Sequence, residues 1–309
     1  MRDAQRGIAL LLVLAMTLAV ATIVAIAQHR AALELRRTRN LLFADQELAY
    51  QLGAEDWAGA LLVREGRDDD TDDLTEPWNQ QGLVLPIEGG RIVGSLRDLQ
   101  GRFNVNNLLA ADGAIDEVAL AQLWRLVAAL GVEDGERVAL EVADWLDADQ
   151  DPRFPYGAED GVYLRLVPAY RSADRRLLWV GELRAVAGID AAAFDALAPH
   201  LAALPGRTAL NVNTASREVL RSLSDAADGA DLDGIAARQL GAPFGTVGEF
   251  AAEFPFPVPE AIVLGVRSEH FALTTTVAIE GLTTTMYSQL ARVPGGAVRT
   301  LRRSVEPEP

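Results

Sequence analysis

The densest chemistry in the chain lies in Asp144-Trp-Leu-Asp-Ala-Asp-Gln-Asp-Pro-Arg-Phe-Pro-Tyr-Gly-Ala-Glu-Asp160. Asp147, Asp149 and Asp151 alternate, so in an extended loop their carboxylates can turn toward one point. Glu159 and Asp160 can return to that point after a turn over residues 152–157. Calcium takes about six to eight oxygens at about 2.3–2.6 Å, from carboxylates and backbone carbonyls in a flexible loop. The five acids meet that demand, with Asp144 as a cap or supporting residue. The loop is not an EF-hand, because its sixth position is Pro152 rather than glycine and its twelfth is Ala158. A solvated acidic loop capping the helix that ends near Leu146 is the alternative. Mutual repulsion among the acids favours a cation, as do Trp145, Leu146, Tyr163 and Leu164, whose apolar bulk would hold them close.

Other chemistry is sparse. Cysteine is absent and the histidines are His29, His200 and His270, so a zinc site of the usual kind is not expected. No serine, histidine and acid arrangement is visible, and no enzymatic activity is expected. No disulfide can staple the fold, a constraint that a bound metal could replace.

The N-terminal element is the strongest organising feature. Arg2 and Arg6 stand in a short leader that ends at Gly7, directly before an uncharged apolar run over residues 8–27. A helix of about 20 apolar residues spans a hydrocarbon core of about 30 Å. A secretory signal carries its cleavage site after the apolar stretch, whereas the well-placed break here, between Gly7 and Ile8, precedes it. An uncleaved signal anchor is the alternative. From residue 28 to about 65 there is no proline, and Leu41, Leu48, Leu52, Leu61 and Leu62 recur at helical spacings. One continuous helix is predicted, membrane-buried first and amphipathic afterwards, ended by the acids of residues 68–73 and Pro77. That acidic run is expected to be a solvated loop.

Beyond it the chain reads as strands, then helices, then strands. Gly89-Gly90 between Leu83-Val-Leu85 and Ile92-Val93 predicts a hairpin, and Arg102-Phe-Asn-Val-Asn106 a third short strand. Residues 270–278 and 283–293 are rich in β-branched and aromatic types. Helical spacing marks residues 115–130, 137–146, 177–186 and 190–204. Residues 1–43 carry six arginines against Asp3 and Glu34, so the overall charge of −16 leaves −20 on the rest. A part that acidic repels phosphate backbones, and nucleic acid is not an expected partner.

Phe103-Asn-Val-Asn-Asn-Leu-Leu109 is echoed by Leu210-Asn-Val-Asn-Thr-Ala-Ser216. A repeated capping device is one reading, with Asn213 or Thr214 capping a helix over residues 216–223. The second copy also resembles the opening of helix-hairpin-helix DNA-binding modules, which would make the chain a membrane-tethered DNA receptor of the competence type. Its acidic continuation over residues 224–231 opposes that alternative.

Taken together, these segments resemble the K minor pseudopilin of bacterial type II secretion. The resemblance rests on Gln5-Arg6-Gly7-Ile8-Ala9-Leu10-Leu11, Arg37-Thr-Arg-Asn40 with Asp45-Gln46, Asp98-Leu-Gln-Gly-Arg-Phe-Asn-Val-Asn-Asn107, Asp144-Trp-Leu-Asp-Ala-Asp149, Glu182-Leu-Arg184 and Leu210-Asn-Val-Asn-Thr-Ala215. It implies an α+β, pilin-like fold: a long N-terminal helix packed on a small antiparallel sheet, with a large α-helical domain inserted between strands. The expected divisions are a leader (1–7), a transmembrane helix (8–27), its amphipathic continuation (28–65), first strands (66–106), the inserted domain (107–265) and last strands (266–309). The resemblance also implies calcium in the inserted domain, held here by Asp147, Asp149, Asp151, Glu159 and Asp160. Implied too are cutting by a prepilin peptidase between Gly7 and Ile8, and a single inner-membrane span with most of the chain in the periplasm. Its implied partners are the I and J minor pseudopilins and, at the tip, secreted proteins. Pilin-like subunits typically carry glutamate as the fifth mature residue, where it neutralises a neighbour's amine. The equivalent here is Leu12, which suits a subunit at the filament tip, although leucine is also the commonest residue in such helices.

Overall fold

The computed structural model describes residues 2–68, 70–80 and 82–306, and leaves the side chains of residues 2–10 and 68 outside its description. Helix α1, Arg2–Asp68, is unbroken, as a stretch free of proline allows. At about 1.5 Å per residue its 67 residues extend roughly 100 Å. Its N-terminal part is apolar and exposed, long enough to cross a membrane once. The chain then forms β1 (Leu83–Ile87) and β2 (Gly90–Asp98), the hairpin predicted around Gly89.

At Asp98 the chain leaves the sheet. It makes β3 (Phe103–Asn104), α2 (Glu117–Ala129), α3 (Gly135–Leu146), α4 (Asp160–Tyr163), α5 (Ala191–Leu197), β4 (Leu201–Ala202) and β5 (Leu210–Asn211). After α6 (Arg217–Arg221), α7 (Asp233–Gly241), α8 (Val247–Glu253) and β6 (Leu264–Gly265) it returns as β7 (His270–Ile279), β8 (Leu282–Val293) and β9 (Ala297–Ser304). The main sheet is antiparallel in the order β1-β2-β7-β8-β9. Asp98 pairs with Phe271, so the insertion hangs from two adjacent strand ends. Its own apolar core runs from Phe103 and Val105 through Leu126, Trp145, Leu183 and Val219 to Phe250.

Several expectations change. The strand expected over residues 102–106 shrinks to β3, which pairs parallel with β4 outside the main sheet. Phe103 and Val105 are buried in the insertion, so its packing begins before residue 107. The helix expected over residues 190–204 stops early because Pro199 ends it in a 3-10 turn, and the chain goes on as β4. Strand β9 falls within the strands expected over residues 266–309, and α7 and α8 within the helical insertion, although none was foreseen individually.

The acidic run is not simply solvated. Asp72 and Asp73 are buried, and Asp72 accepts from Arg292 Nη1 at 2.7 and 2.6 Å and from Ser268 N at 2.8 Å. Arg292 also donates to the Leu62 carbonyl, tying the end of α1 to β8.

Of the five leucines at helical spacing on α1, Leu61 and Leu62 pack toward the sheet and the other three do not. Leu41 is 68 % exposed and Leu48 49 %, and Leu52 is exposed with them. The buried face carries Glu47, Gln51, Glu55, Ala58 and Leu62. Glu55 accepts from Ser288, Thr300 and Arg303 at 2.6–3.0 Å, and Gln51 donates to Thr284 at 3.0 Å. Apolar packing flanks these polar contacts: Phe43, Tyr50 and Ala54 pack against Ile92, Val277 and Ile279, and toward the far end Ala58 and Leu62 meet Trp78, Leu96, Phe271, Leu273 and Leu290.

Candidate cation site and its framework

Helix α3 buries Trp145 and Leu146 and carries Asp144 inward in its last turn. Asp144 Oδ2 then holds the loop by accepting from Arg153 N at 3.0 Å. Gly157 crosses so close that a Cβ there would lie 2.1 Å from Asp144 Oδ2 and 2.2 Å from Arg153 N, so only glycine fits. Trp145, Tyr163 and Tyr170 pack as an aromatic cluster under the loop, with Trp145–Tyr163 centroids 5.0 Å apart. Leu164 is exposed rather than part of this support.

The loop brings together three of the five expected ligands. One carboxylate oxygen each from Asp147, Asp149 and Glu159 lie within 4.8 Å of one another. Asp160 turns away, accepting from Ser172 N and Oγ at 3.1 Å and facing Arg171 at 3.1 Å. Asp151 is exposed and gives its N–H to Asp149 Oδ1 at 2.9 Å. Asp174 is an added acid that local spacing could not reveal, because it follows Asp160 by a long irregular segment. Its N–H donates to the Trp145 carbonyl at 3.2 Å, and its charge acts on both Asp147 and Glu159.

The site is short of positive charge. Arg153 is the cation beside it, with Nε 3.7 Å from Asp144 and 3.8 Å from Asp147 while Nη1 pairs with Glu117 at 2.9 Å. Burial, reinforced by Asp144, Asp147, Asp174 and Asp149, pushes Glu159 up to about 8. Burial, with Asp149 and Asp144, pushes Asp147 up to about 7 against the pull of Arg153. Both oxygens of Glu159, Asp147 Oδ1 and Asp144 Oδ1 are buried without a hydrogen-bond partner. Buried oxygens of that kind are costly unless something pairs with them. A hard divalent cation is the chemistry this donor set fits.

The Asn-Val-Asn echo both caps and bridges: Asn104 caps the 3-10 turn Val105–Leu108, while the second asparagine of each copy bridges distant backbone. Asn106 receives Leu177 N at 2.8 Å and donates to the Leu177 and Leu204 carbonyls at 2.9 Å. Asn213 does the same with Phe244, receiving its N–H at 2.8 Å and donating to its carbonyl at 2.9 Å. Asn104 and Asn211 each accept from the N–H two residues on. The cap of α6 is Ser216, not Asn213 or Thr214. After α6 the chain makes a 3-10 turn, Asp225–Ala227, with acidic neighbours and no basic hairpin, so a DNA receptor is not favoured. His200 Nδ1 lies 2.8 Å from Ser216 Oγ and 4.0 Å from Glu218. Both groups address the same ring nitrogen, whereas a catalytic triad uses opposite ones.

Two family models, both described as type II secretion system (T2SS) protein K, match residues 101–206 and 210–273. Each begins beside one copy of the echo. The type II secretion system protein K of Pectobacterium carotovorum is 38 % identical over 225 residues, 69 % of this chain and 68 % of that one. The Pseudomonas aeruginosa protein is 33 % identical over 294 residues, 87 % and 88 % of the two chains. A chain in the crystal structure of the GspK-GspI-GspJ complex from enterotoxigenic Escherichia coli superposes with a TM-score of 0.78 at 27 % identity, covering 87 % of this chain and 98 % of that one. With its long helix, its five-stranded antiparallel sheet and its two-part insertion, the chain belongs to the type II secretion system protein K family, the K minor pseudopilins.

Proposed function

We propose that the chain caps the tip of a periplasmic pseudopilus, joining I and J minor pseudopilins to start its assembly. The observation that carries the reading is the division of α1. Its polar face is committed to the chain's own sheet, while Leu41, Leu48 and Leu52 stay exposed at helical spacing. An apolar stripe of that kind suits packing against other long helices. The likeness to a K–I–J complex supports the identity of those helices. A prepilin peptidase cuts between Gly7 and Ile8, and the rest of the apolar run anchors the subunit in the inner membrane, with the sheet and insertion in the periplasm near secreted protein. Leu12 is then the fifth mature residue and lies exposed on α1. Without a carboxylate there, a neighbour's buried amine would go unpaired at a cost of about 3 kcal/mol or more, so no subunit adds on that side. Calcium is held by Asp147, Asp149 and Glu159, with Asp174 and Asp144 around them, and supplies the positive charge that the buried acids need.

The test is co-purification of the full chain in detergent with I and J subunits. Leu41→Glu with Leu48→Glu should abolish it while leaving the melting temperature within about 2 °C, since both leucines are exposed. Unchanged co-purification would remove the reading. Crosslinks from cysteines along residues 11–40 should reach subunits on one side only; regular contacts on both sides would remove the tip assignment.

A further inference from the structure

Two loops on either side of Glu159 hold bulky apolar side chains out in solvent. Phe154 is 94 % exposed and Val167 98 %, with Tyr156, Val162, Leu164 and Leu166 exposed beside them. Both loops are fastened at their bases. Gly157 N donates to the Arg153 carbonyl at 2.6 Å and Asp144 accepts from Arg153 N, which closes the first. The second stands on Tyr163 and Tyr170, whose rings are 5.4 Å apart against Trp145, and Tyr170 donates its hydroxyl to the Ala185 carbonyl at 2.8 Å. Exposed apolar surface held in place like this marks a contact.

The charge of these loops runs against the acidic balance of the chain. Residues 152–157 and 161–173 contain Arg153, Arg165 and Arg171 and no acid. Arg153 faces Glu117 and Arg171 faces Asp160, while Arg165 is exposed between Leu164 and Leu166. Glu159, which separates the loops in sequence, belongs to the cation site and is buried with neither oxygen partnered. The three carboxylates of that site offer two oxygens each, and the Asp151 N–H occupies one of them, Asp149 Oδ1, so five are left against the roughly six to eight that calcium takes. Asp147 and Glu159 are buried but Asp149 is exposed, so an oxygen from outside can approach past Asp149.

We propose that these loops dock on an anionic phospholipid surface, with Phe154 and Val167 entering the acyl boundary and Arg165 and the calcium-loaded loop meeting headgroup phosphates. The proposal rests on the calcium reading above, because calcium supplies most of the positive charge and the open coordination position. Single side chains that project almost fully into solvent enter a fluid apolar boundary without a shaped pocket, whereas a protein partner would need a cavity for each. Anionic headgroups add attraction to the basic and cation-bearing rim. The insertion joins the far end of α1, where Leu62 meets Phe271 beside Asp98, roughly 50 Å past the apolar run at 1.5 Å per residue. The surface it meets is therefore a second bilayer, facing the one that α1 crosses.

The experiment anchors the full chain by α1 in phosphatidylcholine vesicles and adds fluorescent, protein-free vesicles of phosphatidylglycerol and phosphatidylethanolamine. Tethering is the fluorescence that pellets with the protein-bearing vesicles, above that pelleting with protein-free phosphatidylcholine vesicles. It should appear in calcium and fall about tenfold or more in chelator, or with target vesicles of phosphatidylcholine alone. Phe154→Ser with Val167→Ser should also lower it about tenfold, the loss of two apolar anchors. Both residues are exposed, so the double variant should keep the wild-type melting temperature and its rise with calcium. A melting temperature that rises with calcium while no vesicles tether would overturn the docking and leave calcium binding standing, as would tethering indifferent to the double variant. No rise with calcium would remove the calcium reading and the docking with it. Absent tethering, together with lost co-purification of I and J subunits in the double variant, would make the loops a protein contact and overturn the lipid assignment.

Discussion

Glu159→Gln should stabilise the metal-free protein and weaken the calcium-loaded one, and this opposite sign follows from the site's electrostatics. Glu159 is buried with both oxygens unpartnered, surrounded by Asp144, Asp147, Asp149 and Asp174. Its proton leaves near 8 in the folded chain, against the ordinary 4.5. At about 1.36 kcal/mol per pKa unit, the gap corresponds to roughly 5 kcal/mol against the charged form. The same repulsion lifts Asp147 to about 7, so the two figures overlap and do not add. Between about pH 4.5 and 8 the folded state holds a proton that the unfolded state has lost. Metal-free stability therefore falls as pH rises through that window, and the full penalty stands above it.

Glutamine occupies the same volume without the charge. At pH 8 in chelator the variant should gain a few kcal/mol, each worth roughly 2–4 °C in Tm for a chain of this size. Calcium should reverse the order. A cation binding only the folded state adds about 2.7 kcal/mol at a hundredfold excess over Kd, and the variant forfeits much of it with the lost ligand. Thermal denaturation by circular dichroism at pH 5, 6.5 and 8, with calcium or chelator, reads all of this. A wild-type Tm that stays flat with pH in chelator would refute the reasoning, and so would a variant destabilised equally with and without calcium.

Three further outcomes are expected. The wild type should begin at Ile8 and Gly7→Leu should block processing, so that N-terminal sequencing of membrane-extracted variant finds Met1. Asn213→Ala strands the Phe244 N–H and carbonyl in the interior and should cost about 2–4 kcal/mol, read as a lower denaturant midpoint at unchanged slope. Asp72→Asn leaves Arg292 buried opposite a neutral group and should cost about 3–5 kcal/mol, while Asp70→Asn, on the exposed part of the same run, should move the midpoint by less than about 0.5 kcal/mol.

The sequence revealed what depends on local pattern. An unbroken helix follows from missing prolines, the hairpin from Gly89-Gly90, and α2 from Asp116, whose side chain accepts from Val118 N and Ala119 N. The acidic loop was legible as a cluster, because Asp147 and Asp149 share one stretch and Glu159 returns after a turn. Which acids converge was not legible. Asp160 is drawn off by Ser172 and Arg171, and Asp174 enters through a backbone contact to Trp145 that no spacing encodes. The Asn-Val-Asn echo was visible as a repeat but its chemistry was not, because a short polar side chain can cap its own neighbours or bridge distant backbone. Asn106 reaches Leu177 and Asn213 reaches Phe244, partners that only the folded insertion supplies. Buried Asp72 looked like solvent-facing charge because its compensation, Arg292 and Ser268, lies some two hundred residues away, whereas Asp73 is held locally by Thr75 N and Oγ1.

The helix face shows the same limit from the other side, and there the error is informative. Periodicity grouped Leu41, Leu48 and Leu52 correctly but joined to them Leu61 and Leu62, which pack on the sheet, and the usual inference is that such a face packs on the chain's own core. The fold instead packs the face with Glu47, Gln51 and Glu55 against threonines, Ser288 and Arg303 of the sheet. A helix that buried its leucines on its own sheet would have only charge and hydroxyls to offer to neighbours. Hydrogen bonds to the sheet engage Gln51 and Glu55 within the monomer and leave Leu41, Leu48 and Leu52 outside. The apolar packing of α1 on the sheet comes in two patches, Phe43, Tyr50 and Ala54 on Ile92, Val277 and Ile279, and Ala58 and Leu62 on Trp78 and Phe271, the second at the end tied to β8. Directional bonds from Gln51 and Glu55 thus fix the register of a helix that Phe43, Tyr50 and Ala54 also hold by apolar contact, while Leu41, Leu48 and Leu52 stay available to other long helices.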